Sequence, residues 1–472
     1  MVFMWDLERY SSNTAVIDDK GNNLSYGELL SDERELCSHV ESRSLVMQFA
    51  RNTLGSFIGY ISFLDQKIVP IMVSPALSLE LKKQLIDRYK PLYLWMPSEM
   101  KSDFSEYSEV FCLYDYSLVK TNFSQKYIIY EDLALLLTTS GTTGSQKFVR
   151  QSYLNISSNA DSIISYLKIT SEDRAITSLP MHYTFGLSVI NTHVKTGATI
   201  LLTDKSIMQR EFWAFLKDNN ATTLSGVPYT YEMLKRLRMP SMELPSLKVL
   251  TQAGGKLSAD LQKYFTEYAI SSGKQFFVMY GQCEATSRMG YLPFEDSLRK
   301  IGAIGIPIPG GKYYLIDNKG NTISDCHTEG ELVYEGDNVT LGYAQGFEDL
   351  YLGDERHGRL CTGDLAYFDE DNYFYITGRN NRFIKVYGNR VNLDELQSAL
   401  KEHFTELDCA VIGKDDLIVI CLTADKYILE VKAYLEDRIS LNPKALKIIM
   451  VDNIPKNESG KIIYHKLATE LL

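Results

Sequence analysis

Between residues 132 and 281, short apolar, β-prone runs alternate with amphipathic stretches. DLALLLT is followed by NADSIISYL, ITSLP by SVINTHV, ATILLTD by REFWAFLKD, TTLSGVP by YEMLKRL and KVLTQ by LQKYFTEYAI, and the series ends on QFFVMYG. Runs this short and this apolar fit strands buried on both faces, while the stretches between them place apolar residues at helical spacing. Strand and helix in turn predict an α/β fold built on a doubly wound, mostly parallel sheet, which binds ligands at the carboxyl ends of its strands. Four polar loops each follow a predicted strand directly: TTSGTTGSQK (138–147), LPMHYTFG (179–186), QAGGK (252–256) and YGQCEAT (280–286). They are expected to converge on one crevice.

Beyond residue 300 the texture changes to Gly- and Tyr-rich alternating segments such as GELVYEGDNVTLGY and DNYFYITGR, which suit antiparallel strands and predict a β-rich lobe. After Arg379 the chain reads FIKVYG (strand), LDELQSALKEH (helix), CAVIG and LIVICL (strands), LEVKAYLEDRI (helix) and KIIMV (strand), the order of a small α+β unit. The expected division is a large N-terminal domain of doubly wound sheets with the β-rich lobe over 1–380 and a small α+β C-terminal domain over 381–472. No internal repeat or low-complexity tract interrupts either part.

Length and charge narrow the function. A chain of 472 residues has enough apolar content for more than one core. A net charge of −11 without a dense Lys/Arg run argues against a nucleic-acid or membrane-surface partner and favours small-molecule chemistry. The seven cysteines form no CxxC pair, so neither a zinc ribbon nor a disulfide framework is predicted, and a reducing cytoplasm fits. MVFMWDLERY lacks a basic n-region and a long apolar stretch, and LALLL is too short to span a bilayer; neither an export signal nor a membrane span is expected.

The loop Thr139, Ser140, Gly141, Thr142, Thr143, Gly144, Ser145, Gln146, Lys147 concentrates hydroxyls, two glycines and a lysine after an apolar strand. Glycines let backbone N–H groups approach an anion, hydroxyls add donors, and Lys147 supplies charge. The Walker A spacing is absent. By composition alone the segment is either a phosphate cradle or a flexible polar turn.

The segment resembles the phosphate loop of the adenylate-forming (AMP-binding) superfamily of acyl-CoA synthetases, peptide-synthetase adenylation domains and firefly-type luciferases. Further signatures stand in that family's order: LSYGEL (24–29), LPMHYTFGL (179–187), YGQCEAT (280–286), GELVYEG (330–336), TGD (362–364), GRNNRFIKVYGNRV (378–391) and PKNESGKI (455–462). The resemblance covers essentially the whole chain and implies a mobile C-terminal domain.

It also implies roles. Tyr280 would stack on adenine, with Gly281 and Cys283 in the same loop, and Glu284 would hold Mg²⁺ as an oxygen ligand. Ala253, Gly254 and Gly255 would lie along the adenine and the acyl pocket. Asp364 would accept the ribose hydroxyls, with Arg379 assisting; read alone, Arg379 fits a structural ion pair equally well. Lys461 would stabilise the charge developing between carboxylate and α-phosphate. Lys385 lies on the strand that would face the acyl-adenylate after rotation about a hinge at Asn381. His182, Tyr183, Phe185 and Gly186 fall at the wall of the acyl pocket.

Departures from the family sharpen the reading. Cys283 stands where threonine is usual; without a base nearby in sequence it reads as a substitution rather than a nucleophile. Asn381 replaces the usual hinge Asp or Lys. Amino-acid-activating relatives carry Phe-Asp-x-Ser where this chain has Phe185-Gly186-Leu187-Ser188, so Gly186 offers no carboxylate to a substrate ammonium. The expected activity is ATP- and Mg²⁺-dependent conversion of a small carboxylic acid without an α-amino group to an acyl-adenylate, followed by transfer to a thiol. Coenzyme A leads as acceptor, with the phosphopantetheine arm of a separate acyl carrier protein as the alternative. A catalytically weak acyl or nucleotide sensor is the alternative from another class.

Overall fold

The computed structural model describes residues 5–124, 126–138, 147–379, 382–386, 389–404, 407–438, 445–457 and 460–472. Two large sheets dominate. In the first, the strands Gln275–Tyr280, Val249–Gln252, Thr223–Gly226, Arg174–Ile176, Thr199–Leu202 and Thr14–Asp18 lie side by side and parallel, with short antiparallel strands at both edges. In the second, Leu133–Thr138, Val69–Val73, Leu45–Phe49 and Tyr93–Pro97 form the parallel centre of eight strands.

The reason is legible in the segments. LVMQF, VPIMV and YLWMP are buried at every position, the mark of strands covered on both faces. Helix Leu54–Asp65 is buried at every residue except its last. It packs in a core that also takes Trp95 from the second sheet and Ala175 and Ile200 from the first. Helix Tyr26–Cys37 starts on a capping box in which Ser25 and Glu28 satisfy each other's backbone N–H groups.

One expectation needs correction. The single sheet predicted over 132–281 is two, because Leu133–Thr138 belongs to the second sheet while the later strands build the first. Strand Phe148–Ser152, which was not foreseen, returns antiparallel to Leu133–Thr138 before helix Tyr153–Leu167 begins. Strands buried on both faces read as the same apolar run whichever sheet they join, so hydrophobicity carries no sheet identity.

The β-rich lobe is present as an antiparallel five-stranded sheet that includes Gly330–Glu335, Arg359–Phe368 and Phe374–Arg379. Past it, the hairpin Phe383–Val386/Asn389–Asn392 precedes a three-stranded sheet of Cys409–Lys414, Leu417–Leu422 and Leu446–Met450 with helices Leu393–His403, Ile428–Arg438 and Tyr464–Leu471. These elements have hydrophobic clusters of their own.

Arg150 fastens the segment 341–355 to the second sheet. Fully buried, it donates from Nε to the Tyr343 carbonyl at 3.0 Å and from Nη1 to the Leu352 and Gly353 carbonyls, and it pairs with Glu355. Substitution Arg150→Met leaves those half-buried carbonyls without the arginine donors, an expected loss of about 3 kcal/mol. A lower urea midpoint for the variant checks this, and an unchanged midpoint contradicts it.

Candidate active site

The polar centre of the molecule is the Asp364 carboxylate, which is 2% exposed. It accepts hydrogen bonds from the Tyr280 hydroxyl, from Gln282 Nε2 at 2.9 Å and from Arg379 Nε at 2.8 Å. Antiparallel pairing sets Asp364 directly opposite Arg379, so the lobe's hairpin builds the ion pair. Tyr280 and Gln282 arrive from the end of strand Gln275–Tyr280 in the first sheet. Asp364 holds the Arg379 guanidinium above its usual range, and burial followed by the Asp364 charge pushes the Tyr280 phenol well above 10. A carboxylate is the acceptor-only group needed to receive paired hydroxyls.

Glu284 sits on the short turn Cys283–Ala285 just past the same strand. Its Oε1 accepts from the Tyr343 hydroxyl at 2.8 Å, and its backbone carbonyl accepts from Thr340 N at 3.0 Å and Arg356 Nη1 at 3.2 Å. The Tyr343 ring lies under the Lys147 ammonium at 3.8 Å and beside the Arg356 guanidinium at 4.6 Å. Burial and the nearby carboxylate push the Tyr343 phenol up to about 12, so it stays a donor to Glu284 at neutral pH. Tyr343 thereby joins the lysine that closes the phosphate-type loop to the carboxylate suited to a hard cation. A carboxylate restrained through one oxygen by a single hydroxyl among the described residues fits Mg²⁺ as an oxygen ligand.

Lys461 comes from the far end of the chain on a tight turn. Lys461 N donates to Asn457 Oδ1 at 2.9 Å, and Lys456 and Ile462 form a bridge across the turn. The turn packs on helix Pro228–Arg236: a Cβ built on Gly460 lies 3.0 Å from Tyr229 Cβ. Burial holds the Lys461 ammonium below the ordinary lysine value and Arg379 acts in the same direction, while Cys283, Glu284 and Asp364 oppose them. Lys461 therefore shares one electrostatic neighbourhood with all four residues.

On the other side of the turn, Gly254 has φ +86°, and a Cβ there would lie 2.5 Å from the Tyr183 hydroxyl. Only glycine allows that backbone and that contact. Gly255 accepts Gln252 Nε2 at 3.0 Å through its carbonyl, and Ala253 is buried against the same core as Tyr183 and Phe185. His182 Nδ1 lies 3.2 Å from the Ala50 carbonyl. Gly186 opens helix Thr184–Lys195 so closely that a Cβ would meet the Pro180 carbonyl at 2.4 Å. The aspartate of amino-acid-activating enzymes is sterically excluded from that position. Gly281 packs on the Ser287 carbonyl.

The loops at 179–186, 252–256 and 280–286 do meet, as Tyr183, Gly254 and Cys283 show through their contacts and mutual electrostatics. Thr139, Ser140, Gly141, Thr142, Thr143, Gly144 and the hinge residue Asn381 lie outside the described residues. For Lys385 the backbone is described, on strand Phe383–Val386. Sequence reasoning missed Gln282, Tyr343 and Arg356. Gln282 lay inside a quoted motif, and the Gly-Tyr pair at 342–343 was visible only as an ordinary strand.

Two wound sheets and an antiparallel lobe followed by a smaller α+β part are the architecture of adenylate-forming enzymes. Residues 3–344 match the AMP-binding enzyme family, and the chain belongs to it. It is similar to the oxalate–CoA ligase of Arabidopsis thaliana, 28% identical over 353 residues, covering 70% of this chain and 66% of that protein, just under two thirds. It is also similar to the 2-succinylbenzoate–CoA ligase of Bacillus velezensis, 28% identical over 73% of this chain and 70% of that one. The structure of o-succinylbenzoate CoA synthetase from Bacillus subtilis with its acyl-adenylate intermediate shares the fold, with TM-score 0.80, 21% identity and coverage of 98% and 97%.

Two outcomes follow from this geometry. Because the folded environment lowers the Lys461 pKa, any step needing its ammonium fades as pH rises through that lowered value, so the alkaline limb of kcat/KM should fall below the 10.5 of an ordinary lysine. Lys461→Arg keeps its charge and should move the limb upward; a pH profile identical in both proteins contradicts the assignment. Tyr343→Phe removes the donor to Glu284 and should raise the Mg²⁺ concentration for half-maximal activity about tenfold, roughly the worth of one charge-assisted hydrogen bond at its lower end. A magnesium titration measures it.

Proposed function

We propose that this protein is an AMP-forming acid–thiol ligase that makes an acyl-adenylate from ATP and a small carboxylic acid and then transfers the acyl group to coenzyme A. The observation that carries the reading is the gathering of Lys461, Glu284, Asp364 and Arg379 around one turn, with cationic, metal-binding and hydroxyl-accepting groups supplied together.

In the first step an oxygen of the substrate carboxylate attacks the α-phosphorus, the bond to the β-phosphate oxygen breaks, and pyrophosphate leaves. Little covalent help is needed, so positioning and charge do the work. Asp364 and Arg379 hold the ribose, Tyr280 lies along the base with Ala253, Gly254 and Gly255, and Lys147 with the loop 139–144 takes the departing phosphates. Lys461 offsets charge shared between carboxylate and α-phosphate. Mg²⁺ at Glu284 supplies neutralisation of phosphate charge.

In the second step a thiolate attacks the acyl carbonyl, its C–O bond to the phosphate breaks, and AMP departs. The proposed boundary at 380/381 lets residues 381–472 rotate about Asn381, withdrawing Lys461 and bringing up the strand of Lys385. Coenzyme A is the favoured thiol, in line with the names of the similar ligases; a phosphopantetheinylated carrier protein offers the same nucleophile. Seven free thiols fit a reducing cytoplasm as the place of action. Among the described residues no helix is long and apolar enough to cross a membrane.

ATP–pyrophosphate exchange over a panel of carboxylic acids, with Mg²⁺ and no thiol, tests the first step. Exchange dependent on one acid is expected; none across the panel, despite ATP binding, would favour a sensor. Lys461→Ala should lower exchange by about three orders of magnitude, as loss of a key transition-state charge does, while sparing thiolation of supplied acyl-adenylate. Cys283→Thr should keep or raise activity, since a hydroxyl is the better donor; complete inactivation would mark the thiol as essential.

A further inference from the structure

The β-rich lobe carries a group of metal-ligating side chains that takes no part in the arrangement around Asp364 and Glu284. Cys326 and His327 stand on the turn between strands Thr322–Ile323 and Gly330–Glu335, and Glu370 on the turn between Arg359–Phe368 and Phe374–Arg379. The Cys326 sulfur, one His327 ring nitrogen and one Glu370 carboxylate oxygen all lie within 4.8 Å of one another. His327 Nε2 is 2.9 Å from Glu370 Oε1. All three residues are exposed, so an ion reaches them from solvent and water is at hand to complete its coordination. Among the described residues no other three His, Cys, Asp or Glu side chains converge in this way.

Backbone contacts hold the two turns together. His327 N donates to the Phe368 carbonyl at 2.8 Å, which fastens the first turn to the strand leading into the second. Asp369 closes the second turn: its Oδ1 accepts from Asp371 N and Tyr373 N, both at 3.0 Å, and its Oδ2 accepts from Lys300 Nζ at 2.7 Å. Glu370 is therefore displayed from a fixed backbone, and only side-chain rotation is left to close on an ion.

The donor set selects that ion. A thiolate, an imidazole and a carboxylate are ligand types of Zn²⁺, whereas Mg²⁺ and Ca²⁺ prefer oxygen alone. Zn²⁺ bonds of about 2.0 to 2.3 Å at tetrahedral angles set neighbouring ligand atoms roughly 3.3 to 3.6 Å apart. Exposed side chains whose ligand atoms stand no more than 4.8 Å apart reach that spacing by small rotations. An exposed His–Glu contact alone contributes little stability. The thiol beside it makes the pair a set of three donors.

We infer that Cys326, His327 and Glu370 form a three-ligand site for Zn²⁺, with water in the fourth position. On binding, the thiol releases its proton and the imidazole coordinates in its neutral form. The ion then ties the turn 324–328 to the hairpin turn 369–373. That hairpin pairs Phe368 with Phe374 at its closed end and Asp364 with Arg379 further along, so the site braces the end opposite the buried ion pair. It goes beyond the acid-activating reading and does not depend on it.

The test is titration of the reduced, chelator-treated full-length protein with Co²⁺, a visible stand-in for Zn²⁺. A thiolate-to-metal charge-transfer absorption that saturates at one equivalent and is displaced by Zn²⁺ is expected. Cys326→Ser should abolish it. His327→Asn, which keeps a residue type at ease in the left-handed backbone of φ +58°, and Glu370→Gln should each weaken Zn²⁺ at least about tenfold, the least expected when a group supporting a metal is removed. Absence of the band in the wild type, or its survival in Cys326→Ser, overturns the proposal and leaves His327 and Glu370 a surface ion pair. Wild-type affinity in both His327→Asn and Glu370→Gln also overturns it, as capture by a single thiol. Should Cys326→Ser fail to fold, alkylation of the wild type decides: Zn²⁺ should protect Cys326 from iodoacetamide, read by peptide mass, and unprotected alkylation overturns the site.

Discussion

Three parts of the chain meet on one buried carboxylate. Asp364 belongs to the β-rich lobe, its partners Tyr280 and Gln282 to the end of the first sheet, and Arg379 to the last strand before the C-terminal elements. An anion this deep is tolerable because charged and neutral donors surround it. The same hydrogen bonds fix where the strand-end turn stands relative to the lobe. The positions of Glu284, Cys283 and the crevice between them follow from that constraint.

Around this node, electrostatics is distributed by distance from water. Arg379 is half exposed and paired; Lys461 is carried in on a turn from the C-terminal elements and loses part of its affinity for a proton. Tyr343 gives the arrangement its second link. One ring receives the cation of Lys147 on its face and restrains Glu284 through its hydroxyl, so the phosphate side and the metal side of the crevice are mechanically joined. Arg150 holds the neighbouring segment in place through backbone carbonyls, which ties Tyr343 to the second sheet.

The acyl side follows another logic. Close approach of the Gly186 backbone to Pro180 bars a side chain, and Gly254 accommodates the Tyr183 hydroxyl. Arg288 is buried in the same wall, its guanidinium stacked on the Phe185 ring at 3.8 Å.

Much of this was written in the linear sequence. Alternating apolar and amphipathic runs determined the wound α/β class, the Gly- and Tyr-rich alternation determined the antiparallel lobe, and the ordered motifs marked the loops holding Tyr280, Glu284, Asp364 and Lys461. These are local signals, set by periodicity and by short stretches of backbone chemistry. Tertiary structure alone decided that Leu133–Thr138 joins a second sheet, since apolar strands look alike before they pair. It alone brought Tyr343 to Glu284, 59 positions away, and set Lys461 beside Cys283. It alone revealed that Arg288 is buried with its guanidinium on the Phe185 ring, because burial and stacking depend on which distant residues close around a side chain, and sequence separation does not encode that distance.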